Sequence, residues 1–139
     1  MHLYDYLDSG NGYKVRLLLA QLHLPYDWTH VDIDKGETRT ADFLARNPNG
    51  RIPTLHLDDG TYLAESNAIL WYLAEGSNFV PASRRDRAQV LQWMFFEQYS
   101  HEPFVATPRY ICRHFPAGHP RRAELSGRLE KGHAALAVM

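Results

Sequence analysis

One cysteine, Cys112, is all the chain offers, so no disulfide can close within it and a reducing compartment is the expected setting. No apolar stretch approaches the roughly 20 residues that span a bilayer, and the first residues alternate polar and apolar in place of an export signal. A cytoplasmic location is expected. Charge of one sign is missing too: 15 Lys and Arg stand against 16 Asp and Glu, a formal net charge of −1. That balance gives no electrostatic footprint for nucleic acid or an anionic membrane, and leaves small neutral or anionic ligands open. The 139 residues are 45% hydrophobic and 22% charged, enough for one packed core and part of a second.

His2-Leu3-Tyr4-Asp5-Tyr6-Leu7 alternates as a half-buried strand does, and residues 8–12 have turn composition. Val15, Leu18, Leu19 and Leu22 recur at helical spacing until Pro25 stops the pattern. Residues 26–33 read as a second strand, parallel to the first because a helix links them. A short helix over 40–46 follows. Residues 54–57 and 61–63 flank Asp58-Asp59-Gly60, a composition that makes an antiparallel hairpin. Ser66 then opens a helix carrying Ile69, Leu70, Tyr72 and Leu73, ended by Gly76 and Ser77. The order is βαβ, α, ββα with a mixed four-stranded sheet over 1–78. Residues 79–83, with Pro81, read as a linker, and 84–139 as helical. Two helices are predicted there: one from Arg84 with Val90, Leu91, Met94 and Phe95, widened by Trp93, Phe96 and Tyr99, and one after Pro116 and Pro120 with Leu125, Leu129 and Leu136. Two helices cannot close a bundle, so this segment is expected to take cover from a partner or to begin a longer domain. The stop at Met139, without a glycine cap, reads as an interruption.

The most informative residues are Asn47-Pro48-Asn49-Gly50-Arg51-Ile52-Pro53-Thr54-Leu55 and, one hairpin later, Glu65-Ser66-Asn67-Ala68-Ile69. Pro53 follows an apolar residue in a turn-rich loop and is a candidate cis proline that holds the Ile52 backbone extended, an edge able to pair with a peptide. Ser66 stands where free backbone N–H groups and the helix dipole favour a carboxylate. Peptide backbone and carboxylate together suggest a small acidic peptide as ligand. Ser9 and Asn11, at the start of the first helix, read either as caps or as donors to a ligand.

Together the N-P-x-G-x-[IV]-P pattern, the Glu65-Ser66 pair and the strand–helix order resemble the glutathione S-transferase family, over nearly the whole chain, and in the Ser9-Gly10-Asn11-Gly12-Tyr13 turn the bacterial, nu- or theta-like members. The resemblance implies a thioredoxin-like α/β domain followed by the first helices of an all-α domain. It implies Ser9 as the hydroxyl donating to the glutathione sulfur, with Asn11 as a second donor or its replacement. Donors and a helix N-terminus bring a thiol pKa from about 8.5 into the range of roughly 3.5–7.5. Ile52 would pair with the cysteinyl backbone beside Pro53. Glu65 and Ser66 would hold the γ-glutamyl ammonium and carboxylate, and Arg51, with Lys35 or Asn49, the glycyl carboxylate. The implied activity is nucleophilic attack by glutathione on a small electrophile or disulfide, in a homodimer pairing through Trp71, Trp93 and Phe96. With no cysteine in the active-site turn, chemistry through the protein's own sulfur is not expected. Two alternatives stand: a non-catalytic binding or regulatory module on the same fold, and an inactive truncated transferase.

Other signals read as structural. Residues 32–37 begin like a calcium loop, but the glycine comes one position early and no bidentate glutamate follows. Glu97 and His101 share helical spacing without an accompanying ligand motif, so no metal is expected. His114 and His119 read as solvated loop histidines, and Arg84-Arg85 and Arg121-Arg122 as solvated faces.

Overall fold

The computed structural model describes residues 1–139, which form two compact units, Met1–Val80 and Pro81–Met139. In the first unit, β1 (His2–Asp5) buries Leu3 and Asp5 by its alternation and leaves His2 and Tyr4 half-buried. Ser9 caps α1 (Gly10–Gln21), its Oγ accepting from the Gly12 amide at 3.2 Å, which satisfies one of the donors a helix start leaves open. α1 ends well before Pro25. His23 takes a left-handed φ of 55° and the Leu24 amide returns to the Leu19 carbonyl at 3.0 Å. Glycine commonly fills such a position, so a histidine there carried no stop signal.

β2 (Asp27–His30) runs parallel to β1 and is shorter than the 26–33 expected. It lies at the sheet edge, with every residue exposed. Beyond Val31, whose amide meets the Asp5 carbonyl at 2.8 Å, side chains take over the backbone donors. Asp32 Oδ1 accepts from the amides of Asp34 and Lys35 at 3.0 and 3.2 Å, and Glu37 Oε2 from the Asp32 amide at 2.6 Å. The would-be calcium loop is thus a self-bonded turn.

Thr40 caps α2 (Ala41–Arg46), its Oγ1 accepting from Phe43 at 3.3 Å. β3 (Thr54–His56) lies antiparallel to β1 and β4 (Tyr62–Ala64) antiparallel to β3, so the order is β2-β1-β3-β4, the thioredoxin-like arrangement. Leu3 and Leu55 sit opposite each other on that ladder. With Val15, Leu18 and Leu19 of α1 and Ile69 and Leu73 of α3 (Ser66–Ala74), they make the core. Each such side chain contributes about 1.5–3 kcal/mol on burial, enough to fix which faces of α1 and α3 turn inward. Gly76, with φ 76°, follows the end of α3.

The second unit holds three helices, not the two predicted. α4 (Arg84–Phe96) is capped by Ser83, whose Oγ accepts from Asp86 at 3.1 Å. It runs into a π turn at Glu97–His101, then into α5 (Glu102–His114). Pro103 stands in the first turn of α5, where the missing N–H is tolerated. In the widened turn before it, the Glu102 amide reaches back five residues to the Glu97 carbonyl. A single-turn 3₁₀ segment at Pro120–Glu124 leads into α6 (Leu125–Val138).

Pro108 and Ile111 of α5 and Gly132 and Ala135 of α6 are buried. A Cβ on Gly132 would overlap the Phe104 carbonyl, so glycine lets α6 close on α5. Arg84 and Arg85 are exposed, as expected, but Arg121, Arg122, His114 and His119, also expected to be solvated, make defined contacts. Arg122 donates to the carbonyls of Phe115 (2.7 Å) and Cys112 (2.9 Å), satisfying the end of α5. Arg121 lies over the Phe115 ring and pairs with Glu124 at 3.2 Å. His114 stacks on Tyr110, and His119 packs against Phe115 while its Nδ1 accepts from the Arg121 amide at 3.2 Å. No helix of the chain is long and apolar enough to cross a membrane.

Candidate functional site

Two helix starts come together in the first unit. Ser66, the first residue of α3 and buried, donates its hydroxyl to Asn11 Oδ1 at 3.3 Å, joining positions 55 residues apart. Asn11 belongs to the first turn of α1, next to the Ser9 cap. Each helix N-terminus carries open backbone donors and the positive end of a dipole, so the junction favours an anion. Ser9 Oγ accepts from Gly12 and retains its own proton to donate, as a hydroxyl can do both.

The cap position of α3 is held by Glu65, not by Ser66, and Glu65 makes no side-chain capping bond. Its backbone, at φ 68° and ψ 112°, lies in a region a non-glycine residue occupies at a cost of about 1–3 kcal/mol. The Ile69 amide donates to the Glu65 carbonyl at 2.9 Å, so the strained residue is bonded into the helix while its side chain stays exposed. Strain held in place this way collects at ligand sites.

A polar network shapes the proline loop. Buried Asn47 donates through Nδ2 to the Arg51 carbonyl (2.8 Å) and Thr54 Oγ1 (3.1 Å), and its Oδ1 accepts from the Asn49 amide (3.1 Å). Thr54 Oγ1 donates to the same Arg51 carbonyl at 3.1 Å. Gly50, at φ 60°, packs so tightly that a Cβ would come within 2.9 Å of the Thr38 carbonyl. The Ile52–Pro53 peptide bond is cis, and Pro53 is buried. Arg51 is exposed. Lys35 pairs with Asp32 at 3.0 Å, which raises the lysine pKa and lowers that of the aspartate.

Asp5 and Arg16 escaped the sequence reading as parts of this region, while Gly12, Asn47 and Thr54 stood within its motifs without a role of their own. Asp5 is fully buried beneath α1 and paired with Arg16 Nη1; Arg16 Nη2 also donates to the Leu7 carbonyl at 2.9 Å. Burial pushes the Arg16 pKa down. Gly12 lies against the Asp5 carboxylate, and a Cβ there would overlap it. A charged residue on the inward step of an alternating strand was the available signal.

A model of the glutathione S-transferase N-terminal domain matches residues 9–75. The crystal structure of a glutathione S-transferase from Pseudomonas fluorescens Pf-5 superposes with a TM-score of 0.95 at 53% identity, over 99% of this chain and 69% of that one. Ure2p in complex with glutathione gives 0.86 at 25% identity, over 99% and 65%. The nitrogen regulation fragment of the yeast prion protein Ure2p gives 0.83 at 27%, over 99% and 63%. Protein URE2 of Candida albicans is 32% identical over 114 residues, 74% of this chain and 33% of that protein. The chain therefore spans about a third of the length of that relative.

Proposed function

The chain belongs to the glutathione S-transferase family, and on that premise we propose that it binds glutathione at the junction of α1 and α3 and ionises its thiol for attack on a small electrophile or disulfide. The Ser66–Asn11 bond carries this reading, because it unites a carboxylate-favouring helix start with the turn that holds the thiol donors. In it, Ser9 donates to the sulfur with Asn11 beside it, Ile52 pairs with the cysteinyl backbone next to Pro53, Glu65 takes the ammonium and Ser66 the carboxylate of the γ-glutamyl end. Arg51 serves the glycyl carboxylate. A pKa unit corresponds to about 1.4 kcal/mol, so one or two hydrogen bonds to the sulfur suffice and no general base is needed. The glutathione complex of Ure2p supports the ligand. The working form in this reading is a cytoplasmic homodimer, with the exposed Trp93, set edge-on to Phe96, supplying apolar contact area, and detoxification is the physiological role.

A second reading, a non-catalytic regulatory module, is supported by the similarity to the nitrogen regulation fragment of Ure2p. Calorimetric titration of glutathione, followed by stopped assays with an aryl halide and a mixed disulfide, separates the two. Saturable binding that Ser66→Ala weakens at least tenfold, with turnover that Ser9→Ala reduces, supports the transferase. Binding without turnover of either substrate supports the module, and no binding by the folded chain removes the glutathione reading.

A further inference from the structure

Asp5 occupies an inward position of β1 that its neighbour Leu3 shows to be apolar ground, yet it is fully buried and charged. Arg16 of α1 is its ion-pair partner, and one carboxylate oxygen, Oδ1, has no hydrogen-bond partner. Gly12 leaves the room the carboxylate needs. The Gly12 amide is bonded to Ser9 Oγ, so carboxylate, Gly12 and the Ser9 hydroxyl follow one another without a gap. Hydrophobic residues of similar volume commonly replace a buried ion pair without loss of stability, so stability alone gives no reason for this pair.

We propose that the Asp5–Arg16 pair balances charge beneath the thiol position, so that the start of α1 presents its dipole and hydroxyl donors without a net charge behind them. This deepens the transferase reading and rests on it for its role, though the field itself belongs to the protein. Asp5 alone would oppose a thiolate at Ser9 and Arg16 alone would favour one. Arg16 pairs with Asp5 and also feels Tyr26, and near Ser9 in sequence stand Asp8, its neighbour, and Lys14, five residues on. Removing one member of the pair unmasks the other, and a unit charge within about 10 Å moves a pKa by about one unit at the effective dielectric of a protein.

The test places a thiol in the protein itself. In a Ser9→Cys, Cys112→Ser background without glutathione, the Cys thiolate absorbance is titrated for the parent and for Asp5→Asn, Arg16→Gln and the double variant. The pKa is expected to fall by about one unit in Asp5→Asn, rise by about one in Arg16→Gln, and return to the parent value in the double variant. Shifts of the same sign, or none, in folded single variants overturn the proposal. Should Asp5→Asn not fold, Arg16→Gln against Arg16→Lys decides, since only loss of charge is expected to raise the pKa and equal values contradict it. Should no single variant fold, a double variant that departs from the parent by a full unit contradicts it and one that matches supports it. Failure of wild-type protein to bind glutathione would remove the transferase reading and leave this titration just as decisive.

Discussion

The two units keep their apolar side chains in different ways. The first wraps β1, β3, α1 and α3 around fully buried Leu3, Val15, Leu19, Leu55 and Ile69, a closed core of its own. The second buries Ile111 and Ala135 with Pro108 and Gly132, while Phe95 and Tyr99 of α4 and the π turn stand 70% and 84% exposed. Its helices lean on polar fastenings instead: Arg122 on the end of α5, and Arg128 bridging the Pro103 carbonyl at 2.8 Å and Glu124 at 2.8 Å. A core held by burial tolerates a strained backbone at its edge, and the Glu65 outlier lies in the first unit.

The contrast is broken most severely at Leu55. Leu55→Ala is expected to cost about 3 kcal/mol, and Phe95→Ala less than about 0.5 kcal/mol, read as the loss of amide-exchange protection in the unit that carries each. Next comes Gly12→Ala, which forces a methyl group into the Asp5 carboxylate and should cost about 1–3 kcal/mol. Gly10→Ala meets nothing within 4 Å and should stay within about 0.5 kcal/mol of wild type in urea denaturation. In the second unit, Arg122→Ala removes charged donors from two α5 carbonyls and should cost about 1.5 kcal/mol, seen as faster exchange at the end of α5 with β1 protection unchanged.

The smallest effect is one of pH. The bond from Tyr6 to Asp34, 2.9 Å long, raises the Tyr6 pKa to about 12, and burial and the Asp34 charge push the same way. A pKa raised on folding gives a contribution fully present below the ordinary tyrosine value of about 10 and lost as pH rises toward 12. Ultraviolet titration should show a phenolate midpoint near 12 that is missing in Tyr6→Phe and moves back toward 10 in Asp34→Asn.

The β1–β2 and β3–β4 pairs and the first-unit helices were legible because their signals are local: alternation in β1, the Asp58-Asp59-Gly60 turn, and the apolar spacing of α1 and α3; the β1–β3 pairing that joins the two strand pairs is non-local. The end of α1 at His23 and the course of α4 through a π turn into α5 were hidden, since a left-handed histidine and a proline at a helix start follow exceptions to the usual stop rules. At the site, the sequence pointed to Asn11 and Ser66 separately. Their bond is a product of packing, as is the burial of Asp5 beneath Gly12. Arg122 looked solvated because its carbonyl partners lie 7 and 10 residues away, outside any local pattern.

Whether the start of α1 stabilises a thiolate is read by ultraviolet pH titration of glutathione held at saturation by the protein and by its Ser9→Ala variant. The bound thiol is expected to titrate below about 7.5, with the pKa rising by a unit or more in Ser9→Ala. A saturated, folded protein whose bound thiol still titrates near 8.5, with no change in the variant, would contradict that stabilisation.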